Sequence, residues 1–173
     1  MASRTFSIRK TFLVPMGLVT LLTLVLLVCC LVLQVPLAKT LILGAFTLPV
    51  LVLFAESCVR RISIDSNGVE IHKPLRSKRI DFSEMTAIDT VRVRKRAFIS
   101  LSSEADFIIF SNSYGQFGEL MKELLNKAPE QIISDETRQT AANPPEKSSD
   151  VFSAWLAVGV LVLIIYVQLK GAL

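Results

Sequence analysis

The chain has 173 residues, of which 51% are apolar, and its mean hydropathy is +0.53. This excess of apolar residues excludes an ordinary soluble domain of the same length. The formal net charge is only +4, and no aromatic residues interleave with the basic ones, which excludes a typical nucleic-acid-binding protein.

The apolar residues concentrate in three blocks almost without charge, Thr11 to Ala38, Thr40 to Ala55 and Val151 to Leu169. Crossing a hydrocarbon core of about 30 Å takes roughly 20 helical residues. The second block is shorter, but Lys39 and Glu56 at its ends can extend their charged groups to the interface. The sequence therefore predicts three transmembrane helices.

The first block has two alternative interpretations. Basic residues precede it as they would in a cleaved signal peptide, but the apolar run is too long and a second block follows at once. Residues Leu26 to Cys29 weakly resemble a lipoprotein cleavage site, although Val28 stands where a small residue is needed. An uncleaved transmembrane helix is the better interpretation.

Basic residues at the block ends predict the orientation, because short basic loops stay on the cytoplasmic side. Arg4, Arg9 and Lys10 precede the first block, and Arg60 and Arg61 follow the second, whereas the turn between these blocks carries one lysine. We expect a helical hairpin in the cell (inner) membrane. The N-terminus and residues 59–150 should be cytoplasmic, and Leu173 should lie outside.

Between the second and third blocks, apolar and polar residues alternate as in half-buried β-strands. Ser66, Asn67 and Gly68 supply a turn tolerant of positive φ, which predicts a β-hairpin from Arg61 to Lys73. Four more strands are predicted at 78–82, 88–94, 97–101 and 107–110. The last of them is apolar on both faces, which predicts burial on two sides.

An amphipathic helix is predicted to end this domain. Ser113 and Gln116 have the spacing of a capping box. The apolar stripe that follows consists of Phe117, Leu120, Met121, Leu124 and Leu125. Pro129 stops the helix, and the polar composition up to Asp150 predicts a flexible linker. The predicted organisation is a transmembrane hairpin at 1–58, a β domain at 59–128, a linker at 129–150 and a transmembrane helix at 151–173.

Three stretches carry a resemblance to a known family: the hairpin RISIDSNGVEIHK, the segment RIDFSEMTAIDTVRV from Arg79 to Val93, and the helix from Tyr114 to Lys127. Together they resemble the bacterial pleckstrin-homology-like (PH-like) domain family. The resemblance implies a partly open antiparallel β-barrel or sandwich with a C-terminal helix, a shape that mostly binds lipids, peptides or proteins. The family has seven strands, so the six predicted here imply a hidden strand near Cys58 or Thr86, or an abbreviated barrel.

Basic residues at the predicted turns are the candidates for contact with anionic lipid headgroups or a partner protein. They are Arg92, Arg94, Lys95 and Arg96, together with Lys73, Arg76, Lys78 and Arg79. Each basic residue near an anionic leaflet contributes about 1 kcal/mol. The simpler interpretation, favoured here, is an ordinary solvated surface, because neighbouring carboxylates largely balance these charges.

No catalytic, cofactor or metal site is expected. The three cysteines, Cys29, Cys30 and Cys58, and the single His72 do not form the clusters that metal ions need, and no catalytic or nucleotide-binding motif occurs. We expect a membrane-anchored binding or scaffold protein, an accessory subunit of a membrane assembly. The alternatives are a non-catalytic subunit of a membrane enzyme or transporter, and a regulator of a neighbouring membrane protein. Membrane lipids and other membrane proteins are the expected partners, and nucleic acid is not.

Overall fold

The computed structural model describes residues 3–145 and 149–171 of the chain. These residues form five α-helices and seven β-strands, divided between two compact units. One unit contains residues 3–9 and 59–145, and the other contains residues 10–58 and 149–171. Met1 and Leu173, for which the sequence predicts a side of the membrane, lie outside the described residues. So do residues 146–148 of the predicted linker.

The second unit consists of three long apolar helices, α1 (Lys10–Val32), α2 (Leu37–Val59) and α5 (Ser149–Lys170). By length and composition each can cross a membrane, as the sequence predicts. Two threonines of this unit bond within their own helices: Thr20 Oγ1 donates to Met16 O and Thr47 Oγ1 to Leu43 O. Gln168 Nε2 of α5 lies 3.4 Å from Cys30 Sγ of α1.

The first unit, called here the β domain, contains two antiparallel sheets. Their strand orders are β1-β2-β3-β4 and β5-β6-β7. The strands are β1 (Arg4–Ser7), β2 (Arg61–Ile64), β3 (Gly68–Lys73), β4 (Arg76–Asp81), β5 (Met85–Val93), β6 (Arg96–Ser103) and β7 (Phe107–Ser111). Helix α3 (Phe117–Lys127), a 3₁₀ turn (Glu130–Ile132) and α4 (Asp135–Ala142) follow.

The core of the β domain is built from the inward side chains of both sheets and from α3. Four residues of the predicted stripe on α3 are buried, namely Phe117, Leu120, Met121 and Leu124, whereas Leu125 is only half-buried. They accompany fully buried strand residues such as Ile62, Ile88 and Ile99. Burying a side chain of this size stabilises the fold by about 1.5 to 3 kcal/mol, so the helix is an integral part of the domain.

The predicted hairpin of β2 and β3 is confirmed, with Ile62 opposite Ile71. The reason for its glycine differs from the expected one. Gly68 does not have a positive φ; instead, a Cβ atom there would clash with the carbonyl oxygen of Ile80 on β4. The turn itself is held by Asp65, whose Oδ1 accepts hydrogen bonds from the backbone N–H groups of Asn67 and Gly68.

The seventh strand is β1, which precedes the first apolar helix, so both expected locations, near Cys58 and near Thr86, are wrong. β1 pairs with β2 in antiparallel register, and its Phe6 is buried. Basic residues surround this short strand, which explains why the sequence favoured a simple membrane-flanking segment. The β domain is therefore interrupted by the whole helical hairpin of α1 and α2.

The outer face of β7 differs from expectation, whereas β5 has Val91 and Val93 on one face as its alternation predicts. Ile108 and Phe110 of β7 point into the core, but Phe107 and Ile109 are exposed, so burial on two sides was wrong. On β5, Ile88 is buried while Val91 and Val93 share the exposed face. Among the described residues, therefore, only one face of the three-stranded sheet packs into the core.

Two predictions after β7 need correction. The capping box is absent, because Gln116 adopts a left-handed conformation (φ 53°) without a side-chain cap and Ser113 Oγ lies 3.0 Å from Ser111 Oγ. Most of the predicted linker is ordered: the buried Thr137 Oγ1 of α4 lies 2.8 Å from Thr90 Oγ1 and donates to Ile88 O. These polar contacts to the edge strand β5 replace an apolar stripe, so the polar composition of the segment concealed its packing.

Candidate interaction surface

The connections to α1 and α2 leave the β domain from neighbouring positions. Ser7, the last residue of β1, pairs with Arg61, the first residue of β2. Only Ile8 and Arg9 separate β1 from α1, and only Arg60 separates α2 from β2. The chain therefore leaves the β domain and returns to it at one end of the domain. We call this end of the β domain, around Ile8, Arg9 and Arg60, the junction end.

The connection to α5 starts from the same end. Arg9 N donates a hydrogen bond to Ser113 O, and the adjacent residue Asn112 has a fully buried side chain. Asn112 Nδ2 donates to the carbonyl oxygen of Pro145 at 2.8 Å and to that of Lys95 at 2.9 Å. Pro145 therefore lies at the junction end, four residues before the first residue of α5.

The same asparagine fixes the hairpin between β5 and β6 at the junction end. Val93 pairs with Arg96, which leaves Arg94 and Lys95 as a two-residue loop. The backbone of Arg94 is left-handed, with φ 55°, a conformation that favours glycine or asparagine. The predicted site residues of this hairpin, Arg92, Arg94, Lys95 and Arg96, are all exposed.

The hairpin between β3 and β4 projects from the junction end as well. Arg61, where β2 begins, pairs with His72, so the strand continues beyond the start of β2 through Lys73. The loop that follows, Pro74 and Leu75, ends at Arg76, the partner of Lys73. Leu75 is 99% exposed. The structure thus brings Lys73 and Arg76 to the same end as the cations of the β5–β6 hairpin.

Two predicted site residues, Lys78 and Arg79, do not belong to this group. Arg79 donates to the carboxylates of Asp65 and Asp81, and Lys78 pairs with Asp106. The hydrogen bond from Arg79, together with the N–H of Asn67, lowers the pKa of Asp65 to about 2. Lys78 likewise lowers the pKa of Asp106. Both cations are neutralised within the domain, which leaves them little charge to offer an anionic ligand.

The outer face of the β5–β6–β7 sheet carries an exposed apolar stripe, which sequence reasoning missed. Its members are between 37% and 60% exposed and are Val91, Val93, Phe98, Phe107 and Ile109. Val91 on β5 pairs directly with Phe98 on β6. In the neighbouring row of outward side chains, Ser100 on β6 lies between Asp89 on β5 and Ile109 on β7. The only described contact on this face is that of Lys78, whose Nζ lies 5.2 Å from the centroid of the Phe107 ring. The alternation in β5, β6 and β7 was visible in the sequence, but it did not reveal how much of this face stays exposed.

A small pocket joins the apolar stripe to the junction end. Its volume is about 160 Å³, and Phe98 and Ile109 from the stripe line it together with Ile8, Arg60 and Lys73. Apolar and cationic groups therefore form one continuous surface on the β domain. Such a combination is suited to a partner that is apolar in one part and anionic in another.

Among the described residues, no group of three or more histidine, cysteine or acidic side chains is placed to hold a metal ion. Cys29 and Cys30 lie in α1 and Cys58 in α2, all as free thiols. His72 Nε2 lies 3.5 Å from Glu70 Oε1 on the same strand. The expectation that the chain is not an enzyme stays a prediction. No protein-family model, curated protein or solved structure matches this chain.

Proposed function

We propose that this chain is a membrane-anchored binding protein that presents a PH-like β domain on the cytoplasmic side of the cell (inner) membrane. In this proposal α1, α2 and α5 span the bilayer, and the β domain binds another protein of the same membrane assembly. The chain then acts as an accessory or scaffold subunit. The exposed apolar stripe on the β5–β6–β7 sheet is the observation that carries the binding role.

The pairing of β1 with β2 supports the anchoring. β1 precedes α1 and β2 follows α2, yet Arg4 pairs with Ile64 and Ser7 with Arg61 in one sheet. A chain that leaves and re-joins the same sheet must cross a bilayer an even number of times in between. Two spanning helices satisfy this condition, and α5 then carries the chain across once more.

Charge supports the cytoplasmic side for the β domain. Arg9 and Lys10 precede the apolar part of α1, and Arg60 and Arg61 follow α2, whereas Lys39 is the one basic residue at the turn between these helices. Basic residues next to a span are retained in the cytoplasm, so the junction end is expected there.

The sheet architecture supports the PH-like assignment. Four strands form one sheet and three the other, and an amphipathic helix follows the last strand. This agrees with the partly open barrel and closing helix that the family resemblance implies. Fold resemblance does not by itself identify a ligand, which is why the binding role depends on the exposed stripe.

The apolar stripe supports binding to a protein. Solvent-exposed apolar side chains that form a contiguous patch, rimmed by polar residues, mark interaction sites on folded domains. Here two phenylalanines and three aliphatic residues occupy the outer face of three consecutive strands. Aromatic side chains, phenylalanine among them, are enriched at protein–protein interfaces. The residues that dominate interface energies lie in well-packed pockets from which the partner excludes water.

Photo-crosslinking in intact cells tests this proposal. A benzophenone side chain placed at Phe98 or Phe107 should give one discrete protein adduct, because both positions lie on the stripe. The same side chain at Glu104, exposed on the turn after β6, should give none. Adducts are detected by gel shift and identified by mass spectrometry.

The matched control is a charge placed on or away from the stripe. Ile109→Lys should reduce the adduct from Phe107 about tenfold or more, whereas Gln139→Lys, at an exposed position of α4, should leave it unchanged. If all positions crosslink equally, or if Ile109→Lys has no effect on the adduct, the stripe is not the binding surface.

A further inference from the structure

We propose that the two hairpin tips at the junction end, Lys73–Arg76 and Arg92–Arg96, dock on the anionic leaflet of the membrane that holds the helices. The occupant of this surface is the lipid bilayer, with Leu75 entering the interface and the surrounding cations binding headgroup phosphates. This inference rests on the proposed anchoring and adds a second contact surface to the proposed protein-binding stripe.

The strand register shows why the first tip reaches the membrane surface. β2 starts at Arg61, two residues after Val59, the last residue of α2, and runs away from that helix end. Its partner β3 runs in the opposite direction, and Lys73 already lies one residue beyond His72, the partner of Arg61. Pro74 and Leu75 therefore extend back at least to the level of residues 59 and 60, where α2 ends.

The second tip is held near the start of α5 by Asn112. Its side chain binds the carbonyl oxygens of Lys95 and Pro145 at the same time. A chain of four residues from Pro145 to the first residue of α5 spans at most about 14 Å. In the proposed docking, this short connection keeps Lys95 within reach of the headgroup layer.

The charge on both tips fits an anionic surface. Neither tip contains an acidic residue, and within the described part of the chain Lys73, Arg76, Arg92, Arg94 and Lys95 form no ion pair. Each basic residue near an anionic leaflet favours the docked state about fivefold. These cations keep their charge available for headgroups, in contrast to Lys78 and Arg79.

Two local features add to the charge. Leu75 is almost completely exposed between Lys73 and Arg76, an apolar tip flanked by cations, which is the arrangement of an interfacial anchor. Arg94 occupies a left-handed loop position where glycine or asparagine would be less strained. The sequence thus places an exposed leucine and an exposed arginine at two loop tips where neither packs into the domain.

Spin-label accessibility of the full-length chain in lipid nanodiscs tests the docking. The native cysteines are replaced by alanine, and a nitroxide is attached at Leu75→Cys. The control is a nitroxide at Ser66→Cys, in the turn between β2 and β3 at the other end of β3. In nanodiscs with 30% phosphatidylglycerol, the label at position 75 should collide with oxygen and be shielded from a water-soluble nickel chelate. In pure phosphatidylcholine, or at 1 M salt, it should become accessible to the chelate. Position 66 should stay accessible throughout.

Matched double variants separate specific docking from tethering. Arg94→Gln with Lys95→Gln should lower the ratio of docked to free tips about thirtyfold, which corresponds to about 1 kcal/mol for each lost charge. Lys122→Gln with Arg138→Gln removes the same charge elsewhere on the domain and should change nothing. The docking would be overturned if the label at position 75 were equally accessible to the chelate in both lipids. It would also be overturned if the shielding did not depend on salt and on the charge of the tips. Failed docking leaves the sides of the membrane reached by α1, α2 and α5 unchanged, so it is distinguishable from failed anchoring by labelling from outside.

Discussion

Asn112 shows how much of the proposed surface depends on one side chain. It is fully buried, it binds two carbonyl oxygens from segments far apart in sequence, and its own backbone N–H donates to Ala97 O. A buried amide that satisfies several partners is costly to remove, because each partner is left without its hydrogen bond. The position of the basic β5–β6 hairpin therefore depends on this residue.

Replacing Asn112 by alanine should destabilise the β5–β6 hairpin by about 2 kcal/mol, since the carbonyl oxygens of Lys95 and Pro145 lose their donor. Amide hydrogen exchange of the full-length chain in detergent micelles should then be about thirtyfold faster in the peptide that contains Arg94 to Ile99. Asn143→Ala, at an exposed position, should change exchange by less than about twofold. Equal protection in both variants would show that Asn112 does not hold the hairpin.

At the residue scale, the sequence predicted charge but not its pairing. It identified every cation at the junction end, because lysine and arginine between strands are conspicuous. It did not separate Arg94 from Arg79, since the ion pair of Arg79 with Asp65 joins residues 14 positions apart through the strand register. It also gave no indication of Asn112, because a single polar residue between a strand and a helix produces no periodic pattern.

At the scale of elements, alternation and, for β7, a short apolar run were enough to predict the strands from β2 to β7. The apolar stripe was enough to predict α3. β1 and α4 were missed for different reasons. β1 is four residues long and lies beside the basic start of α1, so two interpretations competed for the same residues. α4 is polar, and it packs through Thr137 and Thr140 rather than through an apolar face.

The pairing of Ser7 with Arg61 makes the β domain separable from the helices. Joining residues 3–9 to residues 60–145 through a short glycine-serine linker replaces the helical hairpin by a β-turn and should give a soluble, folded domain. A fragment limited to residues 60–128 lacks β1 and α4. It should be less stable by about 3 kcal/mol or more, because Phe6 and Ile8 no longer cover their neighbours in the core.

Urea unfolding followed by far-UV circular dichroism measures the difference between the two proteins. The control is the Phe6→Ser variant of the joined protein. Its free energy of unfolding should fall by part of the difference between the two proteins. Equal unfolding midpoints for residues 60–128 and for the joined protein would contradict the assignment of β1 to the domain core.

At the scale of the whole molecule, hydropathy and basic residues predicted three spanning helices, and the structure contains three helices of the required length. What the sequence did not predict is that residues on both sides of the first two helices build one sheet. That arrangement requires an even number of crossings between β1 and β2, a condition independent of the charge distribution. This condition and the charge distribution both support the proposed topology, in which β1 and β2 lie on the same side of the membrane.

The side of the membrane reached by each segment is the most direct measurement. In a variant without the native cysteines, single cysteines at Leu37, Glu104 and Gly171 are exposed to a membrane-impermeant maleimide on intact cells or spheroplasts. We expect labelling of Leu37→Cys, at the start of α2, and of Gly171→Cys, after α5, while Glu104→Cys in the β domain reacts only after permeabilisation. Labelling of Glu104→Cys from outside, with Leu37→Cys protected, would contradict a cytoplasmic β domain anchored by three spanning helices.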